Sequence, residues 1–188
     1  MDTLLLTGKK ELDIYVNPQR QNLLRCMQIA GVPMTPKQIS DKLGISPSAV
    51  QHHIKKLTEL GIVELSHTER IRGITASYYR VLPKTVSIGL MNRDETAGDR
   101  FALMQNSLSS VFSGFSDYCQ KSPDDSDSGA QHGDMLSGII HLKREEAKEL
   151  YGIIRGFLDA HDQKEAGAEA WEYALIAYPV PDGKNKNA

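Results

Sequence analysis

The sequence predicts an α+β fold that is mainly helical, and three observations carry that expectation. Two short amphipathic segments within residues 35–60 are separated by the turn Gly44-Ile45-Ser46. Two runs of alternating apolar and polar residues, 62–66 and 74–81, follow directly. Farther on, Phe101, Met104, Leu108, Val111, Phe115 and Tyr118 recur at separations of 3, 4, 3, 4 and 3 residues, the spacing of one helix face.

Each element has a local cause. Thr35 is suited to cap a helix whose first turn carries Pro36, and Ile39 and Leu43 share one face before Gly44, which tolerates positive φ. Ser46 is an N-cap for a second helix with Pro47 in its first turn; Val50, Ile54, Leu57 and Leu60 form its apolar face and Gly61 stops it. The opposite face offers Ser48, Gln51, His52, Lys55 and Lys56, donors and cations suited to phosphates and base edges. The two alternating runs read as a hairpin with a basic tip containing Arg70, Arg72 and Gly73. Helix, turn, helix and hairpin in that order make a winged helix-turn-helix. A polar outer face alone describes any surface helix, so the order and spacing carry the reading.

Residues 1–90 are therefore expected to be a DNA-binding domain. Its contacts to double-stranded DNA are expected from Ser46, Ser48, Gln51, His52 and Lys55 at the second helix, and from Arg70 and Arg72 on the wing.

The same half resembles a known family. Asn17-Pro18-Gln19-Arg20 looks like a Pro-x-Arg lead-in to a first core helix, Ser46 to Ile54 like a recognition helix, and Tyr79 lies in the second wing strand. Together they resemble the ArsR-like winged-helix transcriptional regulators. His53 and Ile54 match that family's His-aliphatic pair, and Ser46, Ser48 and Gln51 match its DNA-facing polar residues. The Cys-x-Cys pair of the family's metal sensors is absent. The resemblance implies DNA binding and does not name a signal.

Charge divides the 188 residues in the same place. Residues 1–90 hold 12 Lys and Arg against 7 Asp and Glu, a balance of +5, whereas 91–188 hold 10 against 17, a balance of −7. A positive module favours phosphate contact, and an acidic one should stand away from DNA. Cys26 and Cys119 have no thiol near them in sequence, which argues against a disulfide framework. The Leu4-Leu5-Leu6 run is too short for a secretory core and no stretch approaches a membrane span, so a cytoplasmic protein is expected.

Residues 91–121 are expected to form a dimerisation helix. Its heptad stripe, Phe101, Met104, Leu108, Val111, Phe115 and Tyr118, needs a partner, and a two-fold dimer would present two DNA-reading helices at a fixed separation. Packing within one chain is the competing use of that stripe. Residues 122–134 read as an acidic flexible linker without the distal Glu of a calcium loop. Residues 135–181 are expected to form a small strand-helix-strand module: a strand at 138–142, a helix at 145–161 and a strand at 171–180. Two strands make a sheet too thin to cover itself, so the module should borrow the preceding helix or the same unit of a second subunit, and a homodimer is the economical answer. Trp171, Tyr173 and Tyr178 are expected to alternate on one side of the last strand and could floor a pocket for a small-molecule effector, although packing on the helix is the simpler use. Residues 182–188 read as a disordered tail.

No enzyme is expected, because a Gly-rich phosphate loop, a nucleophile elbow and a His-Glu zinc motif are all missing from the sequence. No metal site and no cofactor are expected either. Adjacent His52 and His53 project about 100° apart on a helix and cannot chelate one ion together. The leading functional expectation is a dimeric, sequence-specific transcriptional regulator. Its competitor is an adaptor that uses a winged helix to bind protein; such a surface should carry more aromatic and aliphatic residues than Ser48, Gln51, Lys55, Arg70 and Arg72 supply.

Overall fold

In the computed structural model, residues 2–6, 8–89, 93–121 and 133–180 are described. Their elements are β1 (Asp2–Leu5), α1 (Lys9–Tyr15), α2 (Pro18–Ala30), α3 (Pro36–Leu43), α4 (Pro47–Glu59), β2 (Val63–Ile71), β3 (Ile74–Val81), β4 (Lys84–Ser87), α5 (Ala97–Lys121) and α6 (Arg144–Ala160). The fold is α+β and mainly helical. The tail expected at 182–188, and all of the expected linker except residues 133 and 134, lie outside the described residues.

The core is built by α2, α3 and α4. Leu23, Leu24 and Met27 of α2, Ile39 of α3, and Val50, Ile54 and Leu57 of α4 are all buried in one cluster with Met34, Ile62 and Val63. Burial of such side chains contributes about 1.5–3 kcal/mol each, so this cluster holds the three helices at fixed angles. Asn17 caps α2 by accepting from the backbone N–H of Gln19 at 3.1 Å and of Arg20 at 3.3 Å. Arg20 in turn donates to the carbonyls of Ile14 and Asp13, satisfying acceptors that the end of α1 leaves open. The Asn-Pro-Gln-Arg lead-in is thus a joint between α1 and α2.

The hairpin is longer than the sequence suggested. β2 runs to Ile71, so Arg70 lies within the strand opposite Thr75, and the turn is only Arg72-Gly73 between paired Ile71 and Ile74. Positive φ at both turn residues, 51° and 86°, is the signature of the type I′ turn that matches strand twist. A bulge between Leu65 and His67 bends β2. Two backbone bonds, Met34 N to Tyr79 O at 2.8 Å and Tyr79 N to Met34 O at 2.9 Å, tie the hairpin to the chain just before α3. A second pairing, β1 with β4 in parallel, brings the N-terminal segment beside the end of the wing.

The C-terminal module requires a correction. Its helix forms, but neither 138–142 nor 171–180 forms a strand among the described residues. Strands exist where backbone groups pair, and among the described residues neither segment pairs with the other or with β1–β4. Tyr178 is five residues beyond Tyr173, so in any strand it would face away from Trp171 and Tyr173 rather than alternate with them on one side. α6 buries no residue at all.

Candidate nucleic-acid interface

α3 and α4 are positioned by their ends. Thr35 Oγ1 accepts from the N–H of Gln38 at 3.2 Å, and the Gln38 side chain accepts from the N–H of Thr35 at 2.8 Å, closing a capping box. Gly44 ends α3 at φ 67°. Buried Ser40 donates to the carbonyl of Ile45 at 2.6 Å, which fixes the turn, and Ser46 Oγ accepts from the N–H of Ala49 at 3.2 Å to start α4. Ser46 therefore has a structural task in addition to its exposed hydroxyl, which lies 3.0 Å from Ser48 Oγ.

With Val50, Ile54 and Leu57 facing inward, Ser48, Gln51, His52 and Lys55 fall at i, i+3, i+4 and i+7 on the outer side, and all four are exposed. Lys56, also expected on this face, is half-buried and turned to Glu59. His53 is different. Its Nδ1 is buried without a hydrogen-bond partner, and burial, with Arg20 and His52 nearby, holds its imidazole below the usual histidine range. It stays uncharged at neutral pH and belongs to the interior side of α4.

The other candidate cations sort by whether they already have a carboxylate. Lys37 pairs with Asp41 at 2.5 Å, Lys56 with Glu59 at 2.9 Å and Arg80 with Glu64 at 2.6 Å. Lys55, Arg70 and Arg72 are exposed and have no ion pair among the described residues. Charges not neutralised from within are those with most to offer a phosphate. Beside the stripe, a cleft of about 460 Å³ runs between α4 and β3, lined by Gln51, Lys55, Thr58, Glu59 and Tyr79.

α5 carries all six residues of the predicted heptad stripe, and none of them is buried: Phe101 and Tyr118 are exposed and the other four are half-buried. The residues buried at its start are Arg100 and Leu103. Arg100 makes a forked pair with Asp94 at 2.7 and 2.9 Å, and Asp94 also accepts from the N–H and hydroxyl of Thr96, locking the first turn. Sequence reading missed this lock, although Asp-x-Thr three residues before a helix is a legible capping signal. In the C-terminal part, Trp171, Tyr173 and Tyr178 are exposed. Among the described residues no three His, Cys, Asp or Glu side chains gather as metal ligands, and no helix is long and apolar enough to cross a membrane. Both cysteines are free thiols.

Residues 15–66 match the family model described as a helix-turn-helix domain. No curated protein matches the chain. A solved structure described as a possible transcriptional regulator from Methanosarcina mazei Go1 is 15% identical over 58% of this chain and 83% of its own, with a TM-score of 0.34. The adhesin competence repressor AdcR of Streptococcus pyogenes is 12% identical over 80% of this chain and 83% of its own, with a TM-score of 0.32. The heme sensor PefR of Streptococcus agalactiae is 13% identical over 81% of this chain and 80% of its own, with a TM-score of 0.31. These scores are too low for any property of those proteins to be carried over.

The matched segment contains α2, α3, α4 and the start of β2, and the hairpin completes it. The N-terminal half has the architecture of a winged helix-turn-helix.

Proposed function

We propose that this chain is a cytoplasmic, dimeric, sequence-specific transcriptional regulator that reads duplex DNA with α4 and steadies it with the wing. The observation that carries the proposal is the exposed stripe Ser48, Gln51, His52 and Lys55, joined by Arg70 and Arg72, with no carboxylate taking up its three cations among the described residues. Gln51 is assigned to a base edge and Ser46, Ser48 and His52 to the groove wall, while Lys55, Arg70 and Arg72 meet phosphate. Dimerisation is assigned to the α5 stripe, none of whose six apolar residues is fully buried. A small-molecule effector would act through the aromatic C-terminal module. No part of the proposal calls for a cofactor or for catalysis.

Titration of the full chain with the duplex upstream of its own gene, against an unrelated duplex, tests the reading. Affinity is expected to fall linearly in log–log against salt, with a preference of roughly 10³-fold or more for the cognate duplex. Absence of salt-dependent binding to either duplex overturns it in favour of the protein-binding adaptor.

A further inference from the structure

The two faces of the β2–β3 hairpin differ in charge. Side chains alternate between faces along a strand, and cross-strand partners share a face. Tyr79, Ser77 and Thr75 of β3 therefore lie together, and with them Thr68 and Arg70 of β2, the partners of Ser77 and Thr75. Glu64 and Glu69, the two carboxylates of the hairpin, are partners of Arg80 and Ala76 and so belong to the other face. Each is also engaged there: Glu64 pairs with Arg80 at 2.6 Å, and Glu69 accepts from Tyr78 Oη at 3.1 Å. The first face is left with hydroxyls and one guanidinium.

That carboxylate-free face is the one turned toward α4. Tyr79 packs against the core cluster and lines the cleft of about 460 Å³ whose facing wall carries Lys55 and Thr58. Thr58 lies three residues beyond Lys55 and seven beyond Gln51, so it extends the exposed stripe of α4 by one more turn. Glu59 also lines the cleft, but its carboxylate is taken by Lys56 at 2.9 Å. Among the described residues, the hydroxyls of Thr58, Tyr79, Ser77 and Thr68 have no hydrogen-bond partner, and Lys55 and Arg70 have no ion pair. Tyr79 is held in place through its backbone, which exchanges two bonds with Met34.

A surface with a cation at each end, neutral donors between them and the acids turned away suits a linear polyanion better than one small anion. Its length agrees. From Tyr79 to Thr75 the strand rises roughly 14 Å, at about 3.4 Å per residue, whereas one strand of a duplex carries a phosphate every ~3.4 Å of axis.

We infer that the cleft and the wing face beyond it form a track for one phosphodiester strand of duplex DNA. Thr58 Oγ1 and Tyr79 Oη donate to phosphate oxygens between Lys55 and Arg70, and Ser77 and Thr68 continue the row along the wing. This rests on the DNA-reading proposal above and adds to it two phosphate-binding residues and the path of the strand.

Thr58→Val and Tyr79→Phe each remove a hydroxyl and keep the shape of the side chain. Each full-length variant is expected to bind cognate and unrelated duplexes alike more weakly, by roughly three- to tenfold, the net worth of one hydrogen bond. The slope of log affinity against log salt should stay at its native value, because no cation is lost, whereas Lys55→Ala should flatten it. Phosphate-ethylation interference supplies a readout that loosened packing does not move. On the native protein, ethylation should block binding at a run of neighbouring phosphates on one strand, and each variant should lose that sensitivity at one phosphate within the run. A Thr58→Val, Tyr79→Phe double variant that binds as tightly as the native chain overturns the inference and leaves the reading by α4 standing. So does weakened binding with every phosphate still sensitive, the mark of a packing defect. A native chain without salt-dependent binding to DNA overturns both.

Discussion

Arg25 and Glu172, 147 residues apart, form a bidentate ion pair that ties the first long helix of the winged domain to the C-terminal stretch. Lys164 adds a second tie, donating to the carbonyl of Ala30 at 3.3 Å, at the end of the same helix. The winged half and the C-terminal half are thus linked through α2, a helix whose Leu23, Leu24 and Met27 pack in the core with α4.

Breaking that tie should loosen the C-terminal stretch while leaving the winged domain folded. The side chains of Arg25 and Glu172 are 44% and 34% exposed, so the pair contributes only about 0.2–1 kcal/mol after solvent screening. Glu172→Gln is expected to lower the fluorescence anisotropy of Trp171, the only tryptophan, and to move the urea midpoint very little. Acid should mimic the substitution. The Arg25 hydrogen bond holds the Glu172 carboxyl below its ordinary value. The pair's stabilisation is therefore complete above the unfolded value of about 4.3 and is lost as pH falls through the lower folded value. Unchanged anisotropy in both experiments would show that the tie does not order the stretch.

On α4, Lys55 and Gln51 occupy one exposed stripe, and as proposed DNA contacts they should fail differently. Lys55→Ala removes a phosphate partner and should weaken all duplexes alike. Gln51→Ala removes a base contact and should cost roughly 1–3 kcal/mol of discrimination at one position. Titrations against a panel of single-base operator variants at fixed salt measure both, and an identical profile for the two variants would place α4 outside the groove.

The wing needs variants that respect its turn. Arg72 has φ 51°, a region that Asn tolerates and Ala does not, so Arg72→Asn with Arg70→Gln removes two cations without straining the hairpin. The slope of log affinity against log salt should become shallower by at most about 1.8. An unchanged slope with intact folding would mean that the wing points away from the duplex.

The winged domain was legible because each of its signals is local. Thr35 with Gln38, Gly44, Ser46 with Pro47, and the Val50, Ile54, Leu57 spacing each specify a cap, a stop or a face within a few residues, and each appears in the fold. The outward stripe on α4 followed from that face by subtraction. What escaped was non-local: β1 pairing with β4 from the far side of the domain, the Met34–Tyr79 bridge, and Arg25 reaching Glu172. The strands expected at 138–142 and 171–180 failed for the same reason. Their composition is suitable, but a strand is a property of the pair, and composition cannot name the neighbour.

The α5 stripe makes the last prediction. Leu108 sits at its centre and is half-buried, whereas Phe101 and Tyr118 at its ends are exposed. If the stripe joins two copies, Leu108→Asp places a carboxylate at the middle of an apolar seam with no cation opposite, and the cost of burying it should keep the chains apart. Light scattering should then report the mass of one chain for the variant and of two for the native protein. Operator affinity should fall as well, because a dimer's second half-site is held at high effective concentration only while the seam is closed. Circular dichroism guards the interpretation, since the core of α2, α3 and α4 does not include Leu108 and the helical signal should persist. A folded Leu108→Asp protein that still scatters as a dimer would make α5 a packing strut within one subunit.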